Sequence, residues 1–419
     1  MYKLPAKLLK AYLDALSALL SVDGGGRSFT LVASSPARDG TEAALAAVAP
    51  HAACERLEID WCTTGGQGFD LVPTKRLPSL PHVRRMRACL DEGTMARFSL
   101  PMPRLEELTL PETPEMFAPI VSRAVGLVPP SNARSQPFPA LRRLSVTTIG
   151  LVLNIATMPA LEHLGVKLYY PQVHLALTLP PSGTLPSSLT SLDLDASTVH
   201  TIAMMEEGGD YGEDRAVHTN QLAPLLSAGA RSVRQLALTI AEPPNADLAA
   251  ALRAATGLTS LQLRLTGKEW AAQDGTRLDC SLLGGMALLR TLSTDEAQRL
   301  DNPTTLAAVP LAELAIEGPA ALPAIAPHTP GLTRLELAGC SAEGLHTAEP
   351  AVGQALHGLT ALRCLALGGR EELSRRNSPE TIAEARGMQE RHAVAMAALR
   401  ALLPAGCEVQ AAEPAMHLW

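Results

Sequence analysis

Residues 332–340 read LTRLELAGC, with apolar side chains at the first, fourth, sixth and ninth positions. The alternation of Leu335, Glu336 and Leu337 is typical of a short β-strand that buries one face. Because side chains of a strand point alternately to its two sides, Leu335 and Leu337 are predicted to enter a core. Arg334 and Glu336 are predicted to face outward.

The pattern apolar-x-x-apolar-x-apolar recurs between residues 54 and about 370. One copy arises easily by chance in a leucine-rich chain, but about twelve do not, so the chain is predicted to be a repeat array. No single repeat can bury its apolar face alone, and neighbouring repeats must stack. Full copies begin at Leu105, Leu141, Leu161, Leu189, Val233, Leu258, Leu311, Leu332 and Leu362, and weaker ones at Cys54, Val83 and Leu289.

The repeat resembles the leucine-rich repeat, L-x-x-L-x-L-x-x-N/C, which residues 54–62 and 332–340 match most fully. Most other copies lack Asn or Cys at the ninth position, so the array is expected to be irregular. It is similar to ribonuclease-inhibitor-like and F-box-associated leucine-rich-repeat arrays. The resemblance implies an α/β solenoid, or horseshoe, with a parallel β-sheet on its concave face. Helices and turns would then form the convex face.

Three segments are expected along the chain. Residues 1–53 should hold a capping helix and a first strand, residues 54–370 the repeats, and residues 371–419 a second capping helix and a final strand. The terminal helix should begin at Ser378-Pro379-Glu380, a capping residue followed by proline. Long steps between successive repeats predict insertions near 113–140 and 198–230.

The composition restricts the class of protein. Hydrophobic residues make up 47% of the 419 and aromatic residues 3%, which predicts a large aliphatic core. The net charge of −7 argues against nucleic acid as the partner, and no apolar run is long enough to cross a membrane. Seven scattered cysteines indicate reduced thiols and a cytoplasmic or nuclear location, and Asp14 within the N-terminal apolar pattern argues against organelle targeting.

The sequence carries no catalytic signature that we could recognise, and its histidines and cysteines lack metal-ligand spacing. We therefore expect no catalytic, cofactor-binding or metal-binding residues and no small-molecule substrate. The predicted function is a non-enzymatic scaffold for protein–protein interaction. An alternative arises because residues 4–9, LPAKLL, resemble the opening of an F-box, which would imply a substrate-receptor subunit of a ubiquitin ligase. The same residues would also suit a plain capping helix.

The predicted binding surface lies on the concave face, at the outward strand positions of the middle repeats. Interfaces favour Arg and Tyr anchors, and these repeats combine charges of both signs. Alternatively, the charges neutralise one another across neighbouring strands. The basic stretch 75–104 could bind an acidic partner or a phosphate, and the acidic stretch 206–214 could dock a partner. Alternatively, each stretch is a solvated part of the surface. The predicted surface consists of Arg143, His163, Lys167, Asp193, Asp195, Tyr169 and Tyr170.

Overall fold

The computed structural model describes fourteen stretches of the chain. They are residues 29–33, 54–60, 81–89, 102–110, 138–148, 151–154, 158–168, 175–178, 184–196, 216–240, 244–265, 277–294, 299–368 and 379–411. Its internal contacts divide the chain into two compact units, Met1–Gln221 and Leu222–Trp419. The predicted boundaries near residues 53 and 370 stay predictions.

The first unit is built on parallel strands that pair side by side in the order β1-β2-β3-β4-β5-β7-β9. Strands β6 and β8 form a separate parallel pair, which the repeat pattern did not predict. The strands are β1 (Phe29–Ala33), β2 (Cys54–Asp60), β3 (Arg85–Cys89), β4 (Glu107–Leu110), β5 (Arg143–Thr148), β6 (Leu151–Asn154), β7 (His163–Leu168), β8 (Leu175–Thr178) and β9 (Ser191–Ala196).

The second unit repeats this arrangement in the order β10-β11-β13-β15-β16-β17-β18, with β12 and β14 as a separate parallel pair. Its strands are β10 (Gln235–Ile240), β11 (Ser260–Leu265), β12 (Arg277–Asp279), β13 (Thr291–Thr294), β14 (Arg299–Asp301), β15 (Glu313–Glu317), β16 (Arg334–Ala338), β17 (Cys364–Leu367) and β18 (Glu408–Ala411).

Short helices follow most strands of the second unit. The α-helices are α1 (Ala216–Gly229), α2 (Ala246–Ala254), α3 (Leu322–Ile325), α4 (Ala342–His346), α5 (Pro350–Gly358) and α6 (Pro379–Leu402). The 3₁₀ helices are Cys280–Leu283, Pro303–Ala308 and Ala326–His328.

The strands bury the residues that the repeat pattern predicts. Leu335 and Leu337 of β16 are each 0% exposed, while Arg334 and Glu336 are partly exposed. Gly339 follows with a φ of +67°, a left-handed conformation that suits glycine and turns the chain so that Cys340 is buried at the ninth position. The register of the repeat motif is therefore confirmed.

Successive repeats are joined by the same backbone contact. The amides of Thr333 and Arg334 both donate to the carbonyl of Ala312, at 2.8 and 3.0 Å, and the Thr333 hydroxyl donates to it at 3.0 Å. Paired amides enter β4, β5, β7, β9, β11, β13, β15 and β17 in the same way. Each strand is thereby aligned with the one before it, and its first donors are satisfied.

A turn before each strand extends the repeat beyond the motif. In residues 102–105 (MPRL), 138–141 (FPAL) and 158–161 (MPAL), the amide of the final leucine donates to the carbonyl of the first residue, at 3.2, 3.3 and 3.1 Å. That first residue is buried in all three. Proline in second place suits such a turn because its φ is fixed near the required value.

All twelve predicted repeat strands occur, and the strands predicted near each end are β1 and β18. Helix α6 begins at Pro379, as predicted. The N-terminal helix, residues 4–9 and most of both predicted insertions lie outside the described residues. We find no helix among the described residues that has the length and apolarity to span a membrane.

We predict that Leu335→Ala lowers the free energy of unfolding by about 2–5 kcal/mol, because it removes buried methyl groups and leaves a cavity between repeats. Glu336→Ala, one position along the same strand but on its outward side, should change it by less than about 0.5 kcal/mol. Chemical denaturation followed by circular dichroism measures both. Equal stability of the two variants would show that the assigned register is wrong.

Candidate interaction surface

The predicted surface lies on the outward sides of β5, β7 and β9, which pair in register. Arg143, His163 and Ser191 stand side by side in the first outward row. The Nδ1 atom of His163 lies 2.9 Å from the Ser191 hydroxyl oxygen, at hydrogen-bond distance. The imidazole is therefore held by the neighbouring strand.

The second outward row is Ser145, Gly165 and Asp193. Gly165 is buried even though it occupies an outward position. A Cβ atom at residue 165 would lie 3.1 Å from the Ser145 hydroxyl oxygen and 3.5 Å from Nε2 of His163. The Ser145 hydroxyl and the imidazole edge of His163 therefore cover residue 165, and glycine there allows this close approach.

The third outward row contains Thr147, Lys167 and Asp195. Lys167 Nζ lies 3.8 Å from Asp195 Oδ2, and the two side chains are 41% and 25% exposed. An ion pair this long and this exposed contributes little to stability, because water screens it and two flexible side chains must be ordered. Lys167 therefore stays accessible to a partner's negative charge.

The electrostatic surroundings of His163 come from β4, β5 and β9. Burial lowers the pKa of its imidazole below the ordinary 6.5, and the Arg143 guanidinium adds to that effect. The carboxylates of Asp193 and Glu107 act in the opposite direction. The net shift is downward, so His163 is mostly neutral at pH 7 and offers a polar, uncharged ring on this surface.

Five of the seven predicted surface residues are thus brought onto one face: Arg143, His163, Lys167, Asp193 and Asp195. Tyr169 and Tyr170 lie outside the described residues. The sequence predicts Ser145 and Ser191 to face outward, but only the structure shows their contacts with this site. Gly165 was missed, although glycine in a strand interior often marks a close approach to the backbone.

Two arginines of the basic stretch 75–104 have acidic partners in the following repeat. Arg84 Nε lies 3.9 Å from Glu106 Oε1, and Arg85 Nε lies 3.7 Å from Glu107 Oε2. These contacts favour the solvated interpretation of that stretch. Within the described ranges, no three His, Cys, Asp or Glu side chains are grouped as a metal site would require. The acidic stretch 206–214 lies outside them.

Parallel strands in register, inward leucines and the repeated backbone link define a leucine-rich-repeat protein. No family model matches the chain, and neither does any curated protein.

Two solved structures are similar to the chain at 13% sequence identity. The crystal structure of a TLR13–ssRNA13 complex has a TM-score of 0.34 and covers 84% of this chain, which spans 55% of that one. An internalin (inlF) from Listeria monocytogenes str. 4b F2365 has a TM-score of 0.33 and covers 86% of this chain and 87% of its own. At such TM-scores neither likeness indicates a function.

We predict that the pKa of His163 lies below 6.5 in the folded protein. Asp193→Asn should lower it further by removing a negative charge, and Arg143→Gln should raise it by removing a positive one. Because folding lowers the pKa of His163 in the parent protein, the folded state binds the imidazole proton less tightly than the unfolded state does. The contribution of His163 to stability is therefore complete above pH 6.5 and is lost as the pH falls through the folded pKa.

Imidazole resonances followed by NMR between pH 4 and 8 measure these shifts, and His163→Gln assigns the signal. A value of 6.5 or above in the parent protein, or shifts of opposite sign in the variants, would contradict the described surroundings of the ring.

Proposed function

We propose that this chain is a non-enzymatic interaction scaffold whose outward face at β5, β7 and β9 binds a protein partner. Arg143, His163, Lys167, Asp193 and Asp195 would make the contacts. The observation that carries the proposal is the arrangement of both charge signs and the His163 imidazole on adjacent, in-register outward rows. Such a surface can pair with the donors and acceptors of a partner's backbone and side chains.

Charge neutralisation between neighbouring strands accounts for only part of the arrangement of charged side chains on β5, β7 and β9. Arg142 Nη1 and Glu162 Oε1 lie 3.4 Å apart, beside the surface rather than in its outward rows, whereas Lys167 and Asp195 are 3.8 Å apart. Glu107 lies opposite Arg143 in the register and also contacts Arg85 at 3.7 Å. Glu107 is therefore a neighbour of both Arg85 and Arg143, and Arg143 remains exposed. These weak internal pairs support a role in binding a partner.

Mixed charge favours a protein over nucleic acid as the partner. A phosphate backbone is drawn to a surface of uniformly positive charge. Here the carboxylates of Asp193 and Asp195 stand next to the basic groups and would repel a polyanion. The reduced thiols indicated by the scattered cysteines support a cytoplasmic location.

The absence of a side chain at residue 165 lets the Ser145 hydroxyl and the Nε2 edge of His163 lie close to that residue, since a Cβ atom there would be 3.1 and 3.5 Å from them. Both groups are capable of hydrogen bonds with a partner.

The experiment is affinity capture from native cells with the full chain as bait, followed by mass spectrometry. Arg143→Glu combined with Lys167→Glu should reduce recovery of the partner at least about tenfold, because two favourable charges become repulsive. Arg290→Glu combined with Arg363→Glu is the matched control. It alters net charge equally at exposed positions of the second unit and should leave recovery unchanged.

Several outcomes would contradict the proposal. Undiminished recovery by the Arg143/Lys167 variant, with an unchanged melting temperature, would place the interface elsewhere. Recovery that a nuclease abolishes would indicate a nucleic-acid partner. A cullin adaptor captured by the parent chain, the Arg143/Lys167 variant and the Arg290/Arg363 control would favour the alternative. That alternative is an F-box-like ubiquitin-ligase receptor acting through residues 4–9.

A further inference from the structure

The strand order of the second unit ends at β18, and no other described strand pairs with the far edge of β18. The Glu408 amide donates to the Arg363 carbonyl, so the backbone groups of Glu408 point to β17. Backbone groups of successive residues in a strand point alternately to its two sides, so those of Val409 point to the open edge. An open edge can pair with a further strand, and β18 (EVQA) lacks the lysine or proline that often prevents such pairing.

The core is also incompletely closed at β18. The inward leucines and isoleucine of β15, β16 and β17 are at most 5% exposed. Val409 and Ala411 stand opposite the inward Leu365 and Leu367 of β17, yet both are only half-buried. They lack the following repeat that covers the equivalent side chains of the preceding strands. Apolar area therefore remains at this end for another strand to bury.

Helix α6 has a half-buried apolar residue on the side turned away from the preceding helices. Arg391 Nε contacts Glu343 Oε1 of α4 at 2.9 Å. A Cβ atom at Gly353 of α5 would lie 4.0 Å from Cδ1 of Leu402. Met396 lies more than about 100° around the helix from both Arg391 and Leu402, because successive residues are about 100° apart. Met396 is half-buried and adds to the apolar area at the end of the array.

We propose that β18 is a self-association site, which pairs antiparallel with β18 of a second copy of this chain around a two-fold axis through Val409. A second copy fits because the strand is complementary to itself. Directly opposite residues of an antiparallel pair point to the same side, so Glu408 of each copy faces Gln410 of the other. The carboxylate of one copy then accepts a hydrogen bond from the side-chain amide of the other.

The alternative registers are less favourable. An axis through Glu408 places two carboxylates opposite each other, and like charges in that position repel. An axis through Gln410 leaves Glu408 without an amide opposite. The Glu408 carboxylate already accepts from Nε2 of Gln410 in its own strand at 3.0 Å, which shows that the two groups are compatible neighbours.

The two-fold register satisfies the open edge and completes the core. The N–H and C=O of Val409 exchange two hydrogen bonds with the same groups of the second copy. The two Val409 side chains meet on the inward side and become buried. The interface uses the same residues in both copies, so it closes with a dimer and leaves no free edge for further growth.

Analytical ultracentrifugation of the full chain between about 1 and 100 µM tests the proposal, and we expect a dimer in that range. Gln410→Glu sets like charges opposite each other twice and should raise the dimer Kd at least about tenfold. Glu408→Lys combined with Gln410→Glu restores opposite charges and should return the Kd to within about threefold of the parent value. The matched control, Gln235→Glu, adds the same charge at an exposed outward position of β10 and should leave the Kd unchanged.

A cross-link gives a second readout of the same register. The Cα atoms of the two Val409 residues lie about 5.5 Å apart in a hydrogen-bonded antiparallel pair, within the range of about 4.4–6.8 Å that a disulfide requires. Oxidised Val409→Cys should therefore run as a covalent dimer on a non-reducing gel, whereas the oxidised parent should not. Ala405→Cys, about 13 Å from the axis along the chain, should also stay uncoupled.

Equal melting temperatures of the variants and the parent confirm folding, and the Val409→Cys cross-link tests the register if a charged variant fails to fold. A parent chain that is monomeric throughout the range would overturn the proposal, whether residues 412–419 or nothing occupies the edge. A dimer that Gln410→Glu does not weaken would place the interface elsewhere and overturn it too. Failure of the double variant to restore the dimer, or of Val409→Cys to cross-link, would show that the proposed register is wrong.

Discussion

The leucines at the fourth and sixth positions of each repeat cannot be buried within their own repeat, and this constraint governs the rest of the structure. A strand as short as Arg334–Ala338 exposes Leu335 and Leu337 unless further strands lie on both sides. The repeated double donation to one carbonyl fixes that neighbour at a set register. Stacking of the strands therefore buries the inward side chains and aligns the outward ones at the same time.

The sequence predicted the strands well because a few apolar positions are enough to define a repeat. Leu105, Leu144 and Leu335 occupy positions where any polar residue would be buried without a partner, so their pattern is constrained throughout the array. The proline-containing turns also carry a sequence signal, since MPRL, FPAL and MPAL precede three strands. The separate pairs β6–β8 and β12–β14 carry no such periodic signal.

The candidate surface was predictable only in outline. Alternation along a strand identifies Arg143 and His163 as outward residues, but it does not show what they contact. The His163–Ser191 contact depends on a register between strands 28 residues apart, which the chain reaches only when both repeats are stacked. The downward shift in the pKa of His163 depends on burial by neighbouring strands, a property that no local sequence window contains.

Outward strand positions do not need apolar side chains. The residue types there can therefore differ between repeats without any loss of the apolar core. The register that sets Gly165 beside Ser145 in the first unit shows that the properties of the outward face arise between strands and not within one. The link between strands also varies: β18 is joined to β17 by a single donation, from the Glu408 amide to the Arg363 carbonyl at 2.8 Å, while the Cys407 amide donates to the Pro404 carbonyl. One donation therefore suffices to align the last described strand with the strand before it.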